Sequence, residues 1–214
     1  MKLPVVDKEV QLPELPVTVT LKGQEETTST MQDVGLLVLR LTTGGLLVGH
    51  GAQKLFGWFS GPGLKGTAGW LESMGLTPGK VWATAASSSE FGGGLLTSLG
   101  LLHPLGPIAE MSSMLMATFK AHWGKPIWVT TGGAELPVTN MASAVALVLT
   151  GPGRFSLDHL FGIRLPRPVA IGVAASAAAI TVIGVLSKPA PAPTAAEMAA
   201  ADEAVPASQI NGTL

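Results

Sequence analysis

LLVLRLTTGGLLVGHGAQKLFGWFSG, running from Leu36 to Gly61, decides how the rest of the chain is read. A helix that crosses a bilayer needs about 20 mostly apolar residues at a rise of about 1.5 Å each, and this stretch is long and apolar enough. It nevertheless carries Arg40 inside and His50, Gln53 and Lys54 at its far end. Such charges are costly in hydrocarbon, so a helix that keeps them must turn them toward other helices. Glu, His and Asn at matching depth in later segments then become the expected lining of a bundle with a polar interior.

Composition agrees with that reading. The 214 residues are 47% hydrophobic and only 13% charged, with a mean hydropathy of +0.44. That is too apolar for a soluble domain of this length and reads as an all-α polytopic membrane protein. The absence of cysteine excludes disulfides, iron–sulfur ligation, haem attachment through CxxCH and thiol catalysis by this chain. A net charge of -1 with no basic run offers nothing to nucleic acid. Residues 1–33 lack an apolar core and a small-residue cleavage site, so no signal peptide is expected.

Outward from the opening stretch, residues 1–33 are polar, with six acids against three lysines, and read as a loosely ordered arm. The first span is expected over Val34 to Phe56, where Gly45 and Gly49 form a small-xxx-small pair for close helix packing. In the Gly- and Pro-rich loop 57–80, Leu64, Ala68, Trp70, Leu71 and Met74 have the spacing of a short amphipathic helix. A second span covers Val81 to Leu102, with Glu90 and Gly92 to Gly94, and turns tightly through His103 to Pro107 into a third, Leu105 to Ala121. A fourth covers Leu136 to Leu149, and a fifth, at 168–187, has no ionisable residue and reads as a lipid-facing anchor. Residues 188–214 are rich in Pro and Ala and read as a disordered tail or contact peptide; the sequon at Asn211 is at chance level there.

Alternating spans at 1.5 Å per residue put Arg40 roughly 9 Å and Glu110 roughly 7 Å below the N-terminal face, with Glu90 near mid-membrane. Arg40, Glu90 and Glu110 are therefore an expected intramembrane polar cluster, serving as structural glue or as a proton, quinone or ligand site. His50, Gln53, Lys54, Lys120, His122 and Glu135 collect at the opposite face as a second polar layer and a candidate quinone site. Trp58, Trp70, Trp82, Trp123 and Trp128 fall at that same face, as an interfacial aromatic belt would. Two histidines near a wet interface more often bind loops than metal, and His103 and His159 lie at the other face, so no metal site is expected. Nucleotide loops, GxSxG elbows and HExxH are absent, and no catalytic residue is assigned.

Arg40, HGxQKLFGWFxG at His50 to Gly61, Glu90 followed by glycines, His122, and GPGxFSLD at Gly151 to Asp158 together resemble the DoxX family. The resemblance covers residues 34–162 and implies a DoxX-like four-helix transmembrane bundle, to which this chain adds a fifth helix and both terminal segments. The family takes its name from a subunit of an archaeal terminal quinol oxidase. Related members look like parts of thiosulfate:quinone oxidoreductases, and actinobacterial members are linked to membrane complexes that handle oxidative stress. The resemblance implies an accessory subunit of a respiratory membrane complex, a terminal oxidase or supercomplex, with no redox centre of its own. Its partners would be other subunits and lipid. A quinone-coupled oxidoreductase component, and a small-solute or proton pathway, are the alternatives. Lys and Arg number six on each face, so the positive-inside rule gives no orientation. The family implies a bacterial plasma membrane with the N-terminus in the cytoplasm and, after five spans, the C-terminus outside.

Overall fold

A computed structural model of the chain describes residues 29–189. The expected arm up to residue 28 and the tail from residue 190 lie outside the described residues. Seven α-helices and no strand occur among the described residues: α1 Thr30–Phe56, α2 Gly63–Ser73, α3 Gly79–Leu99, α4 Leu105–Ala121, α5 Glu135–Thr150, α6 Leu157–Phe161 and α7 Arg167–Leu186.

Local signals explain the helix limits. Ser29 accepts the Gln32 amide while the Gln32 side chain accepts the Ser29 amide, a capping box that starts α1 four residues before the expected Val34. Polarity alone places those residues in the arm. The left-handed backbone at Gly57 (φ 72) ends the helix, a conformation that glycine adopts without penalty. Gly100 ends α3 in the same way, before the expected Leu102.

α1 packs along α3, α4 packs on α3, α5 and α7, and α2 lies across α3 and α1. Glycines set the α1–α3 contact, but not the expected pair. Gly45 and Gly49 face open space, whereas a Cβ on Gly44 would meet the Gly94 carbonyl oxygen at 2.5 Å, and Gly51 abuts the Phe91 backbone. Successive residues on a helix point about 100° apart, so Gly94 serves α1 while Gly93 serves α4. α7 also departs in part from expectation. It is largely exposed, as a lipid-facing anchor would be, but one side docks on α4, where Ser112 and Thr181 share a hydrogen bond of 2.7 Å and Gly184 receives Met116. Hydroxyls replace the charges that the sequence lacked there.

The interior is polar and the exterior apolar. Arg40, Glu110, Thr97, Asp33 and Ser87 rank among the largest fully buried side chains, while Leu41, Leu149 and Ile171 are 53%, 79% and 67% exposed. A water-soluble fold shows the reverse. Two helices, α1 and α7, are long and apolar enough to cross a membrane. α3 carries Ser87-Ser-Ser-Glu90 and α4 and α5 are short, so length and composition support two of the five expected spans.

Candidate functional site

The ends of α1 and α4, the start of α5 and the middle of α3 surround a cleft of about 600 Å³ at the tryptophan-bearing end. Its polar lining comprises His50, Lys54, Glu90, Lys120, His122, Lys125 and Asn140, and Leu47, Trp70, Met114 and Leu136 are among its apolar walls. Lys54 donates to Glu90 at 2.5 Å. The register fixed by Gly44 and Gly51 places Lys54 within a side chain's length of that acid. Lys120 donates to the Ser187 carbonyl at 2.6 Å, so one wall of the cleft is tied to the end of α7. The His122 Nδ1 lies 2.7 Å from the Gly132 carbonyl, and Lys125 donates to the Ala121 carbonyl. Three lysines against one glutamate leave the cleft positive, a field that favours anions and electron-rich oxygen acceptors.

Four of the six residues expected in this second polar layer, His50, Lys54, Lys120 and His122, meet in the cleft. Gln53 does not; its backbone is covered by Gly61. Glu135 does not either, because its carboxylate accepts the Val129 amide at 2.9 Å and braces the loop before α5. Asn140 and Lys125 join the lining instead. Among the described residues no group of three or more His, Asp or Glu is arranged to hold a metal ion.

The expected cluster of Arg40, Glu90 and Glu110 does not form. Arg40 donates to the Ser98 carbonyl at 3.3 Å and to the Phe155 carbonyl at 2.5 Å. It sits level with the last turn of α3, two turns beyond Glu90, so carbonyls freed at the helix end are nearer than either acid. Glu90 belongs to the cleft. Glu110 is wholly buried, with the Thr97 hydroxyl beside its carboxyl and no ion-pair partner among the described residues.

The Arg40 end is a fastener made by the 151–158 loop. Asp158 accepts the Leu102 and His103 amides at 2.8 and 2.7 Å, closing the α3–α4 turn. Asp33, buried at the start of α1, accepts from the Arg154 side chain at 2.6 Å. Burial lowers the His103 imidazole below its ordinary pKa, against the upward pull of Asp158.

Residues 35–123 match the DoxX family model. Over those residues the chain is similar to DoxX proteins. The match takes in Arg40, the HGxQKLFG string, Glu90 and His122 but ends before the GPGxFSLD loop, so it is shorter than the resemblance read from residues 34–162. No curated protein and no solved structure matches the chain. Together with α1 and α7, the DoxX match points to a membrane protein. Within the matched stretch the HGxQKLFG string has a structural reading residue by residue. His50 and Lys54 face the cleft, Gly51 admits α3, and Gly57 turns the chain out of α1. Asp33, Arg154 and Asp158 escaped site assignment from sequence, because pairs such as Asp33 and Arg154 lie 121 residues apart and carry no local pattern.

Proposed function

We propose that this chain is a membrane subunit of a respiratory or oxidative-stress redox assembly, and that its cleft seats a quinone ring. One observation carries the reading: two histidines and three lysines converge on a space of about 600 Å³ with apolar walls. Small-molecule sites typically occupy about 300 to 1,000 Å³, with few polar groups set among apolar ones. Quinone carbonyl oxygens accept hydrogen bonds from ammonium and imidazole donors, while Leu47, Met114 and Leu136 suit the ring faces. The redox chemistry would come from the bound quinone; the chain's own residues bind and orient it. Electrons would arrive from partner subunits. Five crossings, by α1, α3, α4, α5 and α7, with the N-terminus cytoplasmic and the cleft toward the outside, complete the proposal.

The test is titration of the purified protein with a short-chain quinone, read by quenching of tryptophan fluorescence, since Trp70 lines the cleft. His50 lines it as well and holds none of the hydrogen bonds described above, so His50→Ala changes the ligand's surroundings without loosening the fold. Saturable quenching in the wild type and about tenfold weaker binding in His50→Ala are expected, equivalent to about 1.4 kcal/mol. No saturable quenching in the wild type rejects the reading.

A further inference from the structure

Glu110 has no role in the cleft, yet it lies directly beneath it. Met114, one turn later on the same face of α4, lines the cleft with Leu47. Below Glu110 stands Thr97, also buried, with its hydroxyl beside the Glu110 carboxyl. Thr97 in turn borders a small void of about 10 Å³ shared with Arg40, Gly100, His103 and Pro107, about the room one water molecule requires. The Arg40 Nε is buried there without a partner, and at the upper end so is one carboxylate oxygen of Glu90. Buried polar atoms are ordinarily satisfied. Here they follow one another along the axis, from His103 at the α3–α4 turn to Glu90 at the cleft.

We propose that Glu110 is the central station of a proton path joining the His103 end of the bundle to the cleft. A proton arriving at His103 crosses the void beside Arg40 and Thr97 on a water molecule and binds the Glu110 carboxylate. It leaves that acid toward Glu90 and the cleft, which restores the carboxylate; no electron moves. The charged and titratable groups along the way are Arg40 and Lys54 from α1, Glu90 from α3, His103 from the turn and Asp158 from α6. α5 presents Ala144 and Leu147 to the interior, and α7 meets α4 through hydroxyls, so neither adds a competing charge. The inference rests on the quinone reading only for the use to which the proton is put.

The full chain in proteoliposomes with a trapped pH dye, under a potassium diffusion potential, tests this directly. Wild-type vesicles are expected to acidify faster than protein-free ones, Glu110→Gln to fall to the protein-free rate, and Glu110→Asp to recover part of the flux. The quinone titration is run on the same wild-type preparation: saturable quenching without proton flux fails this inference alone, and flux without saturable quenching fails the cleft reading alone. Wild-type flux no faster than protein-free vesicles, or Glu110→Gln equal to wild type, overturns the proposal. If Glu110→Gln does not fold, Thr97→Val, which keeps the side-chain shape and removes the hydroxyl, must slow the flux; an unchanged rate overturns it equally.

Discussion

At the scale of single residues, the bond between Lys54 and Glu90 holds two different parts of the first two long helices together. Glu90 is 3% exposed, and removing the cation leaves that carboxylate buried without its charge partner. Breaking such a pair typically costs about 3 to 5 kcal/mol, and the partial exposure of Lys54 sets the expected loss for Lys54→Ala near the lower figure. Adding Glu90→Gln removes the stranded charge and should return part of the thermal stability in detergent. Equal melting of Lys54→Ala and wild type rejects the pairing. The identity of these buried polar residues was legible in the sequence, because the penalty for a charge in an apolar helix follows from residue type alone. Their partners were not. Pairing depends on the register of α1 against α3, and a shift of two turns moves Arg40 from Glu90 to the Ser98 carbonyl.

At the scale of elements, that register comes from small residues. Gly44 and Gly45 are adjacent in sequence but face opposite surroundings: a Cβ on Gly44 meets α3 backbone, and one on Gly45 meets nothing. Gly44→Ala should therefore push α1 and α3 apart and lower the melting temperature. Gly45→Ala should be neutral or stabilising by up to about 1 kcal/mol through helix propensity. Comparable destabilisation by both would mean that the faces are misassigned. The sequence announced a glycine-mediated contact but not which glycines, since Gly44, Gly45, Gly49 and Gly51 offer overlapping spacings. Helix bounds were more legible. α4 spans Leu105–Ala121, the range expected between the Pro-rich turn and His122, because turn residues and apolar runs mark it locally. The docking of α7 was illegible, as hydroxyl pairing such as Ser112 with Thr181 leaves no charge signal in a run of Ala, Val and Ile.

At the scale of the whole molecule, orientation is open to a direct measurement because the chain contains no cysteine. Thr130, in a single 3-10 turn before α5, and Arg164, in the connection between α6 and α7, are both exposed and lie beyond opposite ends of α5. Under the proposed topology, Thr130→Cys should react with a membrane-impermeant maleimide in intact cells and Arg164→Cys only after permeabilisation. The opposite pattern inverts the topology, and labelling of both from outside rules out a crossing by α5. The same long-range architecture sets a timetable for synthesis. Lys54 meets Glu90 36 residues after it is made, but Arg40 waits 115 residues for the Phe155 carbonyl. At about 5 to 20 residues per second, that is roughly 2 to 7 s for the lysine and 6 to 23 s for the arginine. The nascent α1 therefore spends several seconds zipped to α3 at one end while its guanidinium is still without its last partner, and any factor that shelters young membrane helices has that interval in which to act.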